Sequence, residues 1–132
     1  MRKIIVDPES TANKERWTGI FLRAKMESAD MSGYINQEIY HAKQKKWTRF
    51  EQRWFVVDDG RFEIYKTASD VAEGRFSSIV PLSICTIMEE PKSKRKAAPF
   101  CFRIDISDPT QYVVPRSIGR IPSKLTLNSA FG

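Results

Sequence analysis

From residue 100 to residue 106 the chain alternates without a break, with Phe100, Phe102, Ile104 and Ile106 on one side of an extended backbone and Cys101, Arg103 and Asp105 on the other. A side-chain period of two is the mark of a β-strand with one buried face, and it constrains the fold because such a strand needs hydrogen-bonded neighbours to form a sheet. Short runs that could supply them recur upstream, at 34–40, at 53–57 (Arg53-Trp54-Phe55-Val56-Val57), at 61–66, at 77–82 and at 84–88. Turn residues separate them. Asp58-Asp59-Gly60 predicts a tight hairpin, since Asp tolerates the left-handed conformation and Gly adopts it freely, and the fourth and fifth runs break near Pro81 and Ser83. Ser107-Asp108-Pro109-Thr110 predicts a further turn, after which residues 111–114 return as a seventh strand. Seven short strands between Gly33 and Val114 predict a mainly β unit, an antiparallel barrel or sandwich.

Upstream of Gly33 the period changes. Asp7 is placed as a helix N-cap, with Pro8 in the first helical position and Glu9 in the first turn, and a helix is expected to about Ala29. Within it Trp17, Ile20, Phe21 and Ala24 fall at i, i+3, i+4 and i+7, one apolar stripe that must cover a surface. Downstream, residues 115–132 hold Pro115 and Pro122 and no sustained period. The expected division is therefore a helical extension over 1–32, a β domain over 33–114 and an irregular tail over 115–132.

A chain of 132 residues is the size of one domain. No apolar run approaches the roughly 20 residues that span a bilayer, and Ile4-Ile5-Val6 is too short for the core of a secretory signal. Cys85 and Cys101 form no CxxC pair, so neither a disulfide framework nor a zinc site is expected, and a reducing, cytoplasmic compartment fits.

Catalysis requires convergent groups of tuned acidity. His41 is the one histidine and is expected in a polar loop; the neighbouring carboxylates of Asp58-Asp59 and of Glu89-Glu90 diverge on a turn or strand end and cannot share a proton. No phosphate loop, GxSxG or HExxH pattern occurs. Neither an enzyme, nor a cofactor, nor a bound metal is expected. Charge is more informative. The net charge is +6, yet residues 1–30 are nearly balanced, with six basic and five acidic side chains. Residues 43–53 hold five basic side chains against Glu51 alone, and Lys92, Lys94, Arg95 and Lys96 form a second cluster. Lys43, Lys45, Lys46, Trp47 and Arg49 are expected on the loop between the first two strands, where cations can approach an anionic surface together and Trp47 can sit at its interface.

Taken in order, Gly33-Tyr34-Ile35, Arg53-Trp54-Phe55-Val56-Val57, Phe62-Glu63-Ile64-Tyr65-Lys66, and Gly74 followed by Ile79-Val80-Pro81-Leu82 resemble the first four strands of the pleckstrin-homology (PH) family. The resemblance covers 33–114. It implies two nearly orthogonal antiparallel sheets, of four and three strands, capped by a C-terminal helix. That helix has no counterpart after Val114, where Pro115 follows with no amphipathic run, and the stripe of Trp17, Ile20, Phe21 and Ala24 is a candidate substitute.

Members of that family that bind phosphoinositides tightly present a basic residue closing the first strand and a basic-x-Arg triplet before the Trp-Phe pair. Arg53 matches the arginine, but Glu51 takes the preceding basic position and Gln37 the first-strand one, so the usual pocket is expected to be weak. A minority of the family holds the headgroup between the first-to-second and fifth-to-sixth strand loops, which here carry both basic clusters. The expected function is thus non-catalytic binding of anionic membrane lipid, phosphoinositide headgroups in particular, by a peripheral membrane module with Lys43, Lys45, Lys46, Trp47, Arg49, Arg53, Lys92, Lys94, Arg95 and Lys96 at the site. The alternative is a protein-interaction adaptor in signalling or cytoskeletal assembly, since the scaffold also binds peptides and small GTPases in relatives. Nucleic acid is not expected, because Trp54, Phe55, Phe100 and Phe102 read as core rather than as a stacking face.

Overall fold

The structure is a computed structural model that describes residues 2–41, 46–90 and 99–108. Strand β1 (Arg2–Asp7) leads into helix α1 (Thr11–Met26), followed by β2 (Met31–His41), β3 (Lys46–Asp58), β4 (Arg61–Tyr65), a short helix α2 (Asp70–Glu73), β5 (Phe76–Pro81), β6 (Cys85–Glu89) and β7 (Phe102–Ile106). Hydrogen bonding runs antiparallel through one seven-stranded sheet in the order β5-β4-β3-β2-β1-β7-β6, without a split into a four-stranded and a three-stranded sheet. Its outermost strands, β5 and β6, are joined by a single helical turn, Leu82–Ile84. Three residues reach only about 10 Å, so the sheet curls until its edges meet, and its concave face encloses the core.

Two expectations for the N-terminus are corrected. Ile4-Ile5-Val6 belong to a strand, and Asp7, placed by the sequence as the helix cap, ends that strand opposite Asn36. Ser10 caps the helix instead, its hydroxyl accepting from the Asn13 N–H at 3.1 Å, while Glu9 takes a positive φ of 72° between the two elements. The helix ends at Met26 rather than near Ala29. The segment expected as an extension ahead of the barrel therefore supplies the barrel with a strand and a helix. β1 lies between β2 and β7, paired with β7 from Arg2↔Ile106 to Val6↔Phe102 and with β2 at Val6↔Gln37 and Asp7↔Asn36. Residues 111–114, expected as the seventh strand, lie outside the described residues.

Helix α1 turns Trp17, Ile20, Phe21 and Ala24 inward, and they join one core with Ile4 and Val6 of β1, Ile35, Phe55, Val57, Phe62, Ile64, Val80, Leu82, Cys85, Phe102, Ile104 and Ile106. Phe21 meets Phe62 edge to face at 5.3 Å, and Trp17 meets Phe55 at 6.3 Å, contacts worth about 1 kcal/mol each beyond the area they bury. Gly33 permits this seating. A Cβ there would lie 3.2 Å from Trp17 Cζ2, so the indole rests against bare backbone.

The other face of β4 is buried too. Tyr65, Phe76 and Ile79 cluster with Trp54, Val56 and Val71, and beside them Glu63 is 1% exposed. Its carboxylate accepts from Arg61 Nε at 3.0 Å and from the Tyr65 hydroxyl at 2.7 Å. Burial, reinforced by that bond to Glu63, pushes the Tyr65 phenol well above its usual range.

Candidate functional site at the hairpin rim

The register fixes which strand ends share a rim. Glu89 pairs with Phe102, Phe102 with Val6, Val6 with Gln37, and Gln37 with Glu51, a row that crosses β6, β7, β1, β2 and β3. Glu89 is the last residue of β6, Phe102 the first of β7, and β2 and β3 run on past the row to His41 and Lys46. At about 3.3 Å per residue the four residues beyond Gln37 carry that hairpin about 13 Å past the row. The connection between β2 and β3, the connection between β6 and β7, and the start of α1 thus leave one rim of the barrel.

Both basic clusters lie on these connections. Lys43 and Lys45 fall in 42–45, and Lys92, Lys94, Arg95 and Lys96 in 91–98; both stretches are outside the described residues. Lys46, Trp47 and Arg49, expected on the loop, stand in β3, opposite His41, Tyr40 and Ile39. His41, also expected in a loop, ends β2. The longer hairpin includes a register shift between Ile39 and Tyr40, the kind of irregularity that bends a strand pair. Residues 42–49 and 91–98 together hold eight Lys and Arg and no acid, leaving fourteen basic against sixteen acidic side chains elsewhere. The whole excess of positive charge therefore falls in these two stretches of sequence.

The described part of the rim is charge-balanced by comparison. Lys14 of α1 meets Glu89 at 2.6 Å, Arg53 meets Glu51 at 3.3 Å, and Asn36 donates to Glu9. Arg103 binds Asp105 at 2.7 and 3.1 Å, with buried Glu90 at 3.7 Å; the bond to Asp105 holds the guanidinium pKa above its ordinary value. Glu89 and Glu90 accordingly turn to different partners. In the hairpin turn, Asp59 sits at φ 54° before Gly60 at 73° and reaches Arg61 at 3.7 Å. Among the described residues no group of three or more His, Cys, Asp and Glu could hold a metal ion, and no helix is long and apolar enough to cross a membrane.

The PH domain family model matches residues 29–118, well over half of the chain. The chain belongs to the PH domain family. No curated protein and no solved structure matches it. A PH domain is in general a non-catalytic module that binds lipid or protein. In this one the match begins just ahead of β2 and leaves out β1 and α1, the elements that complete the sheet and cover the core.

In this PH domain the three positions singled out from the sequence do converge. Gln37 is the register partner of Glu51, and Ile35 that of Arg53, so Gln37, Glu51 and Arg53 stand on one face of the β2–β3 pair. The Arg53 guanidinium is held by Glu51 and by the Gln52 carbonyl at 3.0 Å. An anion approaching Arg53 must compete with a carboxylate already seated there. Lys14 was not legible as a rim residue, since its partner Glu89 is 75 positions away and nothing local marks the pair. Cys85 and Cys101 are buried and form no disulfide; burial pushes the Cys85 thiol up to about 12.

Proposed function

We propose that this PH domain binds anionic membrane lipid, phosphoinositide headgroups in particular, between its two basic connections. The observation that carries the reading is the coincidence of charge and topology: eight cations without an acid lie on two stretches that leave the same rim. Lys43, Lys45, Lys46 and Arg49 from one side, and Lys92, Lys94, Arg95 and Lys96 from the other, then neutralise a polyphosphate, with Trp47 at the membrane interface. Each Lys or Arg near an anionic leaflet contributes about 1 kcal/mol, an attraction that fades beyond a Debye length of about 8 Å at physiological salt. Arg53 contributes less, because Glu51 occupies it. The domain acts by reversible attachment at the cytoplasmic face of a membrane.

The test is charge reversal on the second cluster. The K94E/R95E variant is expected to lose most vesicle binding, by tenfold or more, while its melting temperature stays put; binding equal to that of the unaltered protein would sink the two-connection site. A protein partner is the second reading, favoured by Leu22 and Met26, which α1 leaves 53% and 88% exposed. Binding through those side chains would depend little on salt, whereas lipid binding weakens steeply.

A further inference from the structure

Side chains two apart on a strand share a face. Counting back from Phe55, which is core, puts Arg53 and Glu51 of β3 on the concave face of the sheet, and counting on from Ile87, which packs against the core, does the same for Glu89 of β6. The two carboxylates end one row, Glu89, Phe102, Val6, Gln37 and Glu51, floored by buried Phe102 and Val6. Each end of the row holds a cation: Arg53 stands 3.3 Å from Glu51, and Lys14 stands 2.6 Å from Glu89. The second cation comes from α1, a helix outside the residues of the family match.

The two pairs are closed to different degrees. At Glu51 both partners are largely covered, and the Gln52 carbonyl accepts a further hydrogen bond from Arg53. At the other end the Lys14 side chain is 18% exposed but that of Glu89 is 79%. An ion pair whose carboxylate stands in water is weakly held, and a lysine already covered has less rotamer freedom to lose when a ligand replaces that carboxylate. Lys92 follows Glu89 by three residues, a reach of about 10 Å at most, and it opens the stretch that carries Lys94, Arg95 and Lys96. A phosphate drawn to that stretch therefore arrives close to Lys14.

We infer that Lys14 is a further headgroup-binding residue, held in place by Glu89 until a phosphate of the headgroup takes the ammonium and the carboxylate turns out to solvent. The inference rests on the two-connection reading above and adds to it a ligand supplied by α1. It makes a distinctive demand on Glu89. A carboxylate that merely lowers the positive field of the rim weakens binding whether or not Lys14 is present, whereas one that occupies Lys14 acts through that lysine.

Full-length K14Q, K14R, E89Q, K14Q/E89Q and K94E/R95E are compared with the unaltered protein by retention on phosphatidylcholine vesicles containing a phosphatidylinositol bisphosphate, at physiological salt, with a thermal melt of each. K14Q is expected to weaken binding about fivefold, the worth of one cation beside an anionic leaflet, and K14R, which keeps the charge, to bind as the unaltered protein does. E89Q is expected to strengthen binding about twofold, the scale of an exposed pair, and to give no gain once Lys14 is replaced. Melting temperatures are expected to stay level across the position-14 and position-89 variants. K14Q binding equal to that of the unaltered protein, K14R as weak as K14Q, or an E89Q gain as large without Lys14 as with it would each overturn the role of Lys14, and loss of binding in K94E/R95E would then leave the two-connection site standing. Undiminished binding by K94E/R95E sinks that site instead, and no retention of the unaltered protein sinks both.

Discussion

Glu51 decides how much Arg53 can do. The two side chains are 3.3 Å apart and only 16% and 32% exposed for Arg53 and Glu51, so the cation is partly neutralised before any ligand arrives. Replacing the carboxylate in E51Q is expected to tighten binding to phosphoinositide vesicles by roughly two- to fivefold, the scale of a partly exposed ion pair; titration calorimetry with a soluble headgroup reads it. Cys85 sets a different residue-scale expectation. Its folded pKa is raised from an ordinary 9.0 to about 12, so the neutral thiol contributes stability that is fully present below about 9 and lost as pH rises toward 12. The phenol of Tyr65, raised from 10.0, acts in the same direction. Melting temperature is expected to be flat to about pH 9 with respect to these groups and to fall above it, and C85A is expected to soften the first part of that fall.

At the scale of elements, what was legible depended on whether the signal was local. The stripe of Trp17, Ile20, Phe21 and Ala24 declares its buried face through a 3.6-residue period, and those four side chains are the ones α1 buries. The hairpin at Asp58-Asp59-Gly60 was equally legible, because positive φ selects its residues. β1 was not. Three apolar residues before a proline carry no alternation, and what makes them a strand is β7, whose Ile104 pairs with Ile4 from the far end of the chain. The misplaced cap follows from the same cause, since Asp7 looks like an N-cap until the ladder with Asn36 claims it. Because α1 is core, W17A is expected to cost about 3–5 kcal/mol, whereas L22A on its outer face stays within about 0.5 kcal/mol. Urea melts check both, with the midpoint shifting and the slope unchanged if the fold survives.

For the whole molecule, the sequence located the positive charge but not its geometry. Two basic clusters some fifty residues apart could as easily have left opposite ends of a barrel; the register through Glu89, Phe102, Val6, Gln37 and Glu51 brings their connections to one rim. The PH domain family match accounts for the β2-to-β7 framework, while the strand and helix that close the barrel lie outside the matched residues. With the excess behind the net charge of +6 falling in the two stretches that join these strand ends, the proposed attachment should respond to ionic strength as a whole-molecule property. The measurement that tests this most directly is co-sedimentation with liposomes of neutral lipid, of phosphatidylserine, and of individual phosphoinositides, at low and at physiological salt. Selective retention on a phosphoinositide at physiological salt is the predicted result; no binding, or binding that follows total negative charge alone, would contradict a headgroup site at the hairpin rim.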